Sequence, residues 1–155
     1  MMKLSFDVIN ALQGRTLATA ESCTGGGVGA ALTAVPGSSA VYKGGIISYT
    51  NEIKSALLCV APSVLEQEGA VSAAVAETMA IGARKALAAE IAVSVTGLAG
   101  PTGDDFGNPV GTVYIGYSDA DRTVSECYHF SGNREDVRQQ ATVAALSLIL
   151  KFNSK

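Results

Sequence analysis

The chain has no tryptophan, a single histidine and charged residues at only 16% of its 155 positions. Each shortage removes a class of function. The net charge is -3 with a pI near 5.1, and no run of Lys or Arg occurs. Neither nucleic acid nor an anionic membrane surface is therefore an expected partner. No apolar run reaches the ~20 residues that a bilayer crossing needs. The opening stretch MMKLSFDVINALQGR carries Asp7 and has neither a long apolar core nor a small-residue cleavage site, so it does not read as a signal peptide. Cys23, Cys59 and Cys127 are odd in number and lack CxxC spacing, which reads as free thiols in a reducing compartment. A cytoplasmic location is the expectation. One His, no paired Cys and an isolated Asp104 with Asp105 provide no ligand set for a tightly bound transition metal. No cofactor is expected.

What is abundant is small and apolar. Hydrophobic residues make up 48% of the chain, mostly Ala, Val, Ile and Leu, a balance that suits alanine-rich helices packed on a β-branched sheet. The length fits one domain, residues 1–155, with a core that needs no disulfide or metal. Leu4, Val8 and Leu12 share a helical face over residues 2–13. TLATAE reads as a strand, GGVGAALTAV as a helix, and GGIISYT as a second strand. NEIKSALL follows as a helix capped by Thr50 or Asn51. Pro62 and the Ser63/Glu66 pair suggest a capping box on a short helix that Gly69 ends. Ser72 opens a long helix with Val75, Met79, Ala83 and Leu87 on one side. EIAVSVTG is a third strand, GTVYIGYS and RTVSECYHF form a hairpin, and Asn133 caps a closing helix to about Leu150. The order predicts a three-layer α/β/α sandwich whose mixed, mostly parallel sheet ends in an antiparallel hairpin. No internal repeat or linker is visible. The long stretch GLAGPTGDDFGNPVG reads as a functional loop.

Chemistry concentrates in LATAESCTGGGVGA, residues 17 to 30, where a strand turns into a helix. Ser22 there stands at the carboxyl edge of the sheet, and the N–H groups of Thr24, Gly25 and Gly26 are available to an anion or an oxyanion. Ser22 or Thr24 can equally be a plain N-cap. As a nucleophile, Ser22 needs a base. His129 offers one, and Lys54 offers a better one because a cation in the first turn of a helix is disfavoured and tends to lose its proton; an ordinary solvated lysine is the bland account. Cys23 competes for the nucleophile role, although adjacent side chains on an extended segment point to opposite sides. Arg134 and Arg138 lie four apart in the opening turns of the last helix. An anionic substrate group would explain them, as would pairing with Glu135 or Asp136. GGGVGA matches the dinucleotide fingerprint only loosely, and no Walker loop is present.

Six separated segments, TAESCTGGGVGAALTAVPGSS, YKGGIISYTNEIKSALL, GAVS, VSVTGLAGPTG, NPVGTVYIG and NREDVRQQA, resemble the CinA C-terminal domain family. Its characterised activity is nicotinamide-nucleotide amidase. The resemblance runs from about Leu17 to Ala145. It implies hydrolysis of the carboxamide of nicotinamide mononucleotide to nicotinic acid mononucleotide and ammonia, recycling the pyridine nucleotide released when bacterial DNA ligase consumes NAD. It further implies Ser22 as nucleophile, Lys54 as base and Tyr49 beside them. Thr24, Gly25 and Gly26 would supply backbone donors, Thr96, Gly97 and Gly100 would line the pocket, and Arg138 would reach the nucleotide. Many members carry an additional N-terminal domain, and this chain resembles the stand-alone form. A homodimer or higher homo-oligomer is implied, and the loop over residues 101–109 is expected to set substrate preference. The alternative expectation is a pyridine-nucleotide-binding regulatory module without turnover.

Overall fold

The computed structural model describes residues 1–154. Along the chain run α1 (Met2–Ala11), β1 (Leu17–Glu21), α2 (Gly27–Thr33), β2 (Tyr42–Ile47), α3 (Asn51–Leu58), α4 (Pro62–Glu68), α5 (Ala73–Leu87), β3 (Ile91–Gly97), β4 (Thr112–Ser118), β5 (Thr123–His129) and α6 (Arg134–Asn153). The sheet has the order β2-β1-β3-β4-β5. β1 pairs in parallel with both β2 and β3, whereas β4 runs antiparallel to β3 and to β5. Helices cover both faces, as the alternation of strands and helices predicts.

The two faces differ in side-chain size, and β3 shows why. Ile91, Val93 and Val95 point into the core beneath α1, α2 and α6, with Val8, Leu12, Leu32, Leu146 and Ile149 opposite. The intervening Ala92 joins Ala18 and Ala20 under α5, where Val75, Met79 and Ala83 pack. Small residues on this second face let α5 come close to the sheet. The Ser94 hydroxyl donates to the Ala76 carbonyl at 2.5 Å and accepts the Gly116 N–H at 3.2 Å. A Cβ on Gly116 would stand only 2.4 Å from the same carbonyl. The period of two along a strand thus decides both the layers and their spacing.

Some boundaries differ from the sequence expectation. α4 has no capping box: its N-cap is Ala61, without a side-chain cap. Pro62, whose ring fixes φ and whose missing N–H needs no partner, starts the helix one residue earlier and leaves Ser63 inside it. β2 begins at Tyr42, opposite Leu17, and ends at Ile47, because residues 48–50 turn to place Thr50 as the cap of α3, accepting from the Ile53 N–H at 3.3 Å. α6 continues to Asn153, and its Asn133 cap forms a full capping box with Asp136.

Candidate active site

Ser22 is the first residue beyond β1, and its N–H continues the sheet by donating to Val95 O at 2.9 Å. Its side chain therefore stands at the carboxyl edge of the parallel strands, where α/β sheets place ligands. Two glycines follow in left-handed conformation, Gly25 at φ 58 and Gly26 at φ 104, a turn that residues with a Cβ enter only with strain. The turn redirects the chain into α2.

Glu21 holds that turn from below. Its buried carboxylate accepts from the Thr24 hydroxyl at 2.7 Å, the Val28 N–H at 2.8 Å and the Gly29 N–H at 3.0 Å. The anion at the start of α2 is thus the protein's own. An acidic residue ending an otherwise apolar strand is the local sequence signal for this role of Glu21. Glu21→Ala strips three buried donors of their acceptor and should lower the unfolding free energy by about 3 kcal/mol. Urea denaturation measures this, and a loss below about 1 kcal/mol would show that the turn stands without the carboxylate.

Lys54 reaches Ser22 from α3, 32 residues further along the chain. Its side chain is directed inward like that of Leu58, one turn on, and only 2% of it is exposed. Nζ lies 3.0 Å from Ser22 Oγ, 2.8 Å from Ser48 O and 3.4 Å from Tyr49 O. Withdrawal from water lowers its pKa from 10.5 to about 8, with Cys23 acting weakly the other way. Burial, and not the helix dipole invoked from the sequence, is the cause. A neutral amine has two N–H bonds and one lone pair. The two carbonyls can take the N–H bonds, which leaves the lone pair for the Ser22 hydroxyl.

Cys23 packs into the core, although it also borders the cleft beside Ser22. It is 5% exposed within the core cluster under α2 and α6, and burial raises its thiol to about 11. Such a thiol is inert.

The cleft above Ser22 has a volume of about 310 Å³ and is lined by Ser22, Cys23, Tyr49, Lys54, Thr96, Gly97 and Gly100, with Arg134 at its rim, whereas Thr24, Gly25 and Gly26, expected there, are outside its lining. Thr96 uses its hydroxyl to hold Ala70 O at 2.8 Å. The two arginines part company here. Arg134 donates to Gly100 O at 2.6 Å and to the Tyr49 phenol at 2.9 Å, bridging the two loops beside Ser22. Arg138, assigned to the nucleotide from the resemblance, donates instead to the Cys23 and Thr24 carbonyls at 3.0 and 3.3 Å and lines a separate depression with Glu135 and Thr142. It braces the outside of the turn. Neither arginine forms an ion pair among the described residues, so Glu135 and Asp136 do not account for them. Gly25 is a second correction: its N–H is already given to Ser22 O at 3.0 Å. The N–H groups of Cys23, Thr24 and Gly26 have no acceptor among the described residues.

The profile of the CinA C-terminal domain matches residues 2–153. The chain belongs to the CinA C-terminal domain family. It is 52% identical over 138 residues to a CinA-like protein of Thermosynechococcus vestitus, covering 87% of this chain and 33% of that one. Over 137 residues it is 46% identical to the nicotinamide-nucleotide amidohydrolase PncC of Pseudomonas putida, covering 88% of this chain and 86% of the relative. The chain therefore spans about a third of the CinA-like relative and most of the PncC relative. Among solved structures, a competence or damage-inducible protein from Enterobacter asburiae superposes with a TM-score of 0.96 at 34% identity, covering 99% of this chain and 98% of that one. The competence damage-inducible protein A of Klebsiella pneumoniae gives 0.95 at 36% identity, covering 99% and 97%. Family membership and the sandwich architecture agree. Among the described residues, no group of three or more His, Cys, Asp or Glu is placed to hold a metal ion, and no helix is long and apolar enough to cross a membrane.

Proposed function

We propose that this chain is a serine amidase that hydrolyses the carboxamide of nicotinamide mononucleotide, with Ser22 as nucleophile and Lys54 as base. The observation that carries the reading is the buried 3.0 Å contact between Lys54 Nζ and Ser22 Oγ at the sheet edge. A nucleophile beside a base whose pKa lies near neutrality is the arrangement that acyl transfer requires. A binding module without turnover has no use for a buried amine against a hydroxyl. The name of the Pseudomonas putida relative supports the substrate.

Neutral Lys54 accepts the Ser22 proton as Oγ attacks the carboxamide carbon. The oxyanion is stabilised by a backbone N–H left free in the turn, that of Cys23, the residue after the nucleophile and one that lines the cleft. Protonated Lys54 then delivers its proton to the departing ammonia, and an acyl-enzyme remains on Ser22. Water, losing its proton to Lys54, releases nicotinic acid mononucleotide and restores the hydroxyl. Tyr49 contributes its carbonyl to the lysine and its phenol to Arg134.

Arg134 takes the role expected of Arg138. Its guanidinium at the rim suits the substrate phosphate. Arg134→Ala should raise KM by about tenfold to a hundredfold with a smaller change in kcat, whereas Arg138→Ala should leave KM within about threefold. Steady-state ammonia release separates the two.

Ammonia release by the wild type from nicotinamide mononucleotide, with nicotinamide riboside as the control lacking phosphate, tests the whole reading. Turnover of the nucleotide and little of the riboside is the expected result. Binding of the nucleotide without any release would replace the amidase by a regulatory module.

A further inference from the structure

The β4–β5 hairpin carries a second group of reactive side chains, outside the cleft. Its register sets Thr112 opposite His129 and Tyr114 opposite Cys127, so all four project from one face. Cys127 and His129 are both exposed.

Proton accounting orients the group. The Thr112 hydroxyl donates to Pro109 O at 2.8 Å, which uses its one proton. Its 3.4 Å contact with His129 Nδ1 is then a bond donated by Nδ1–H. That tautomer leaves the lone pair on Nε2, the nitrogen 3.8 Å from Cys127 Sγ. The Tyr114 phenol stands opposite Cys127 on the same face, and its contact with Cys127 together with partial burial keeps its proton to higher pH than usual. A thiol, a base aimed at it and a hydroxyl fixing the base form the arrangement that activates a nucleophile.

We propose that Cys127 is a site of thiol–disulfide exchange with small disulfides such as glutathione disulfide, activated by His129. Nε2 accepts the thiol proton, and the thiolate attacks one sulfur of the incoming disulfide. A new S–S bond joins Cys127 to that half. The other half leaves as a thiolate and takes the proton from the imidazolium. Cys127 is oxidised, the released half is reduced to a thiol, and no other reactant is needed.

The other two cysteines are built-in controls. Cys59 is exposed but bonds to no titratable side chain among the described residues, and Cys23 is buried. A metal fits the hairpin less well, because Cys127 and His129 are two ligands where zinc takes four.

The test incubates the intact protein with glutathione disulfide, quenches at intervals, and quantifies the adduct on each cysteine by peptide mass spectrometry. Cys127 is expected to react at least about tenfold faster than Cys59, with Cys23 unmodified. His129→Gln should bring Cys127 down to the rate of Cys59, whose own rate stays constant. Thr112→Val, which frees the imidazole proton to sit on either nitrogen, should lower the same ratio. The ratio is read within one molecule, so a loss of stability alone does not reproduce this pattern. Equal rates at Cys127 and Cys59, or a Cys127 rate untouched by His129→Gln, would overturn the proposal. Neither outcome bears on the amidase reading, since neither residue lines the cleft.

Discussion

Ser22→Ala is expected to lower kcat for ammonia release by at least about 10⁴-fold while leaving nicotinamide mononucleotide affinity within a few-fold. The substitution removes one hydroxyl and little else. The bonds that hold the turn use the Ser22 main chain, through its N–H to Val95 O and its carbonyl from the Gly25 N–H. Lys54 keeps Ser48 O and Tyr49 O as partners. The variant should therefore fold and bind, and isothermal titration alongside the ammonia assay separates lost chemistry from lost binding. Activity within about tenfold of wild type would remove Ser22 as nucleophile. Lys54 would then be left to activate water directly.

The second large effect concerns Lys54. The base must be neutral to accept the Ser22 proton, and burial places its pKa at about 8. The protonated fraction therefore grows as pH falls through 8. Catalytic efficiency should rise with pH, reach half its maximum near 8, and fall about tenfold per unit well below that. Lys54→Arg keeps the length and donors but never supplies a free base, so it should lose at least about 10³-fold in kcat. Lys54→Met removes the base together with the buried amine and should be equally inactive. A profile that stays flat between about pH 6 and 9, or an active Lys54→Arg variant, would sink the assignment. The same depression makes a stability statement. Between about 8 and 10.5 the unfolded chain binds the proton that the folded chain has lost, so Lys54 makes stability rise with pH across that window. Lys54→Met should flatten this contribution in urea melts.

Local pattern explains which parts of the fold were legible. The four-residue recurrence of Val75, Met79, Ala83 and Leu87 specified α5, and the apolar run after Glu90 specified β3. Both signals come from neighbours in sequence that share one face. The start of α4 departs from the local pattern because Ser63 and Glu66 fit a capping box that Pro62 pre-empts. In the site, the Ser22 turn was legible because a polar cluster followed by glycines interrupts an apolar strand. Arg134 and Arg138 were not distinguishable: they have the same charge, the same helix and one turn between them. Only the packing of α6 against the turn sends Arg138 to the Cys23 and Thr24 carbonyls and leaves Arg134 at the cleft.

The sequence by itself determined the layers and the sheet edge that carries Ser22, because periodicity and turn chemistry act over a few residues. The tertiary structure alone decided the environment of each group. It set Lys54 against Ser22 across 32 residues and took the amine out of water. It filled the start of α2 with the Glu21 carboxylate and turned the Cys23 thiol into the core. Desolvation and hydrogen-bond partnership depend on which distant residues meet, and no local pattern in the chain records that.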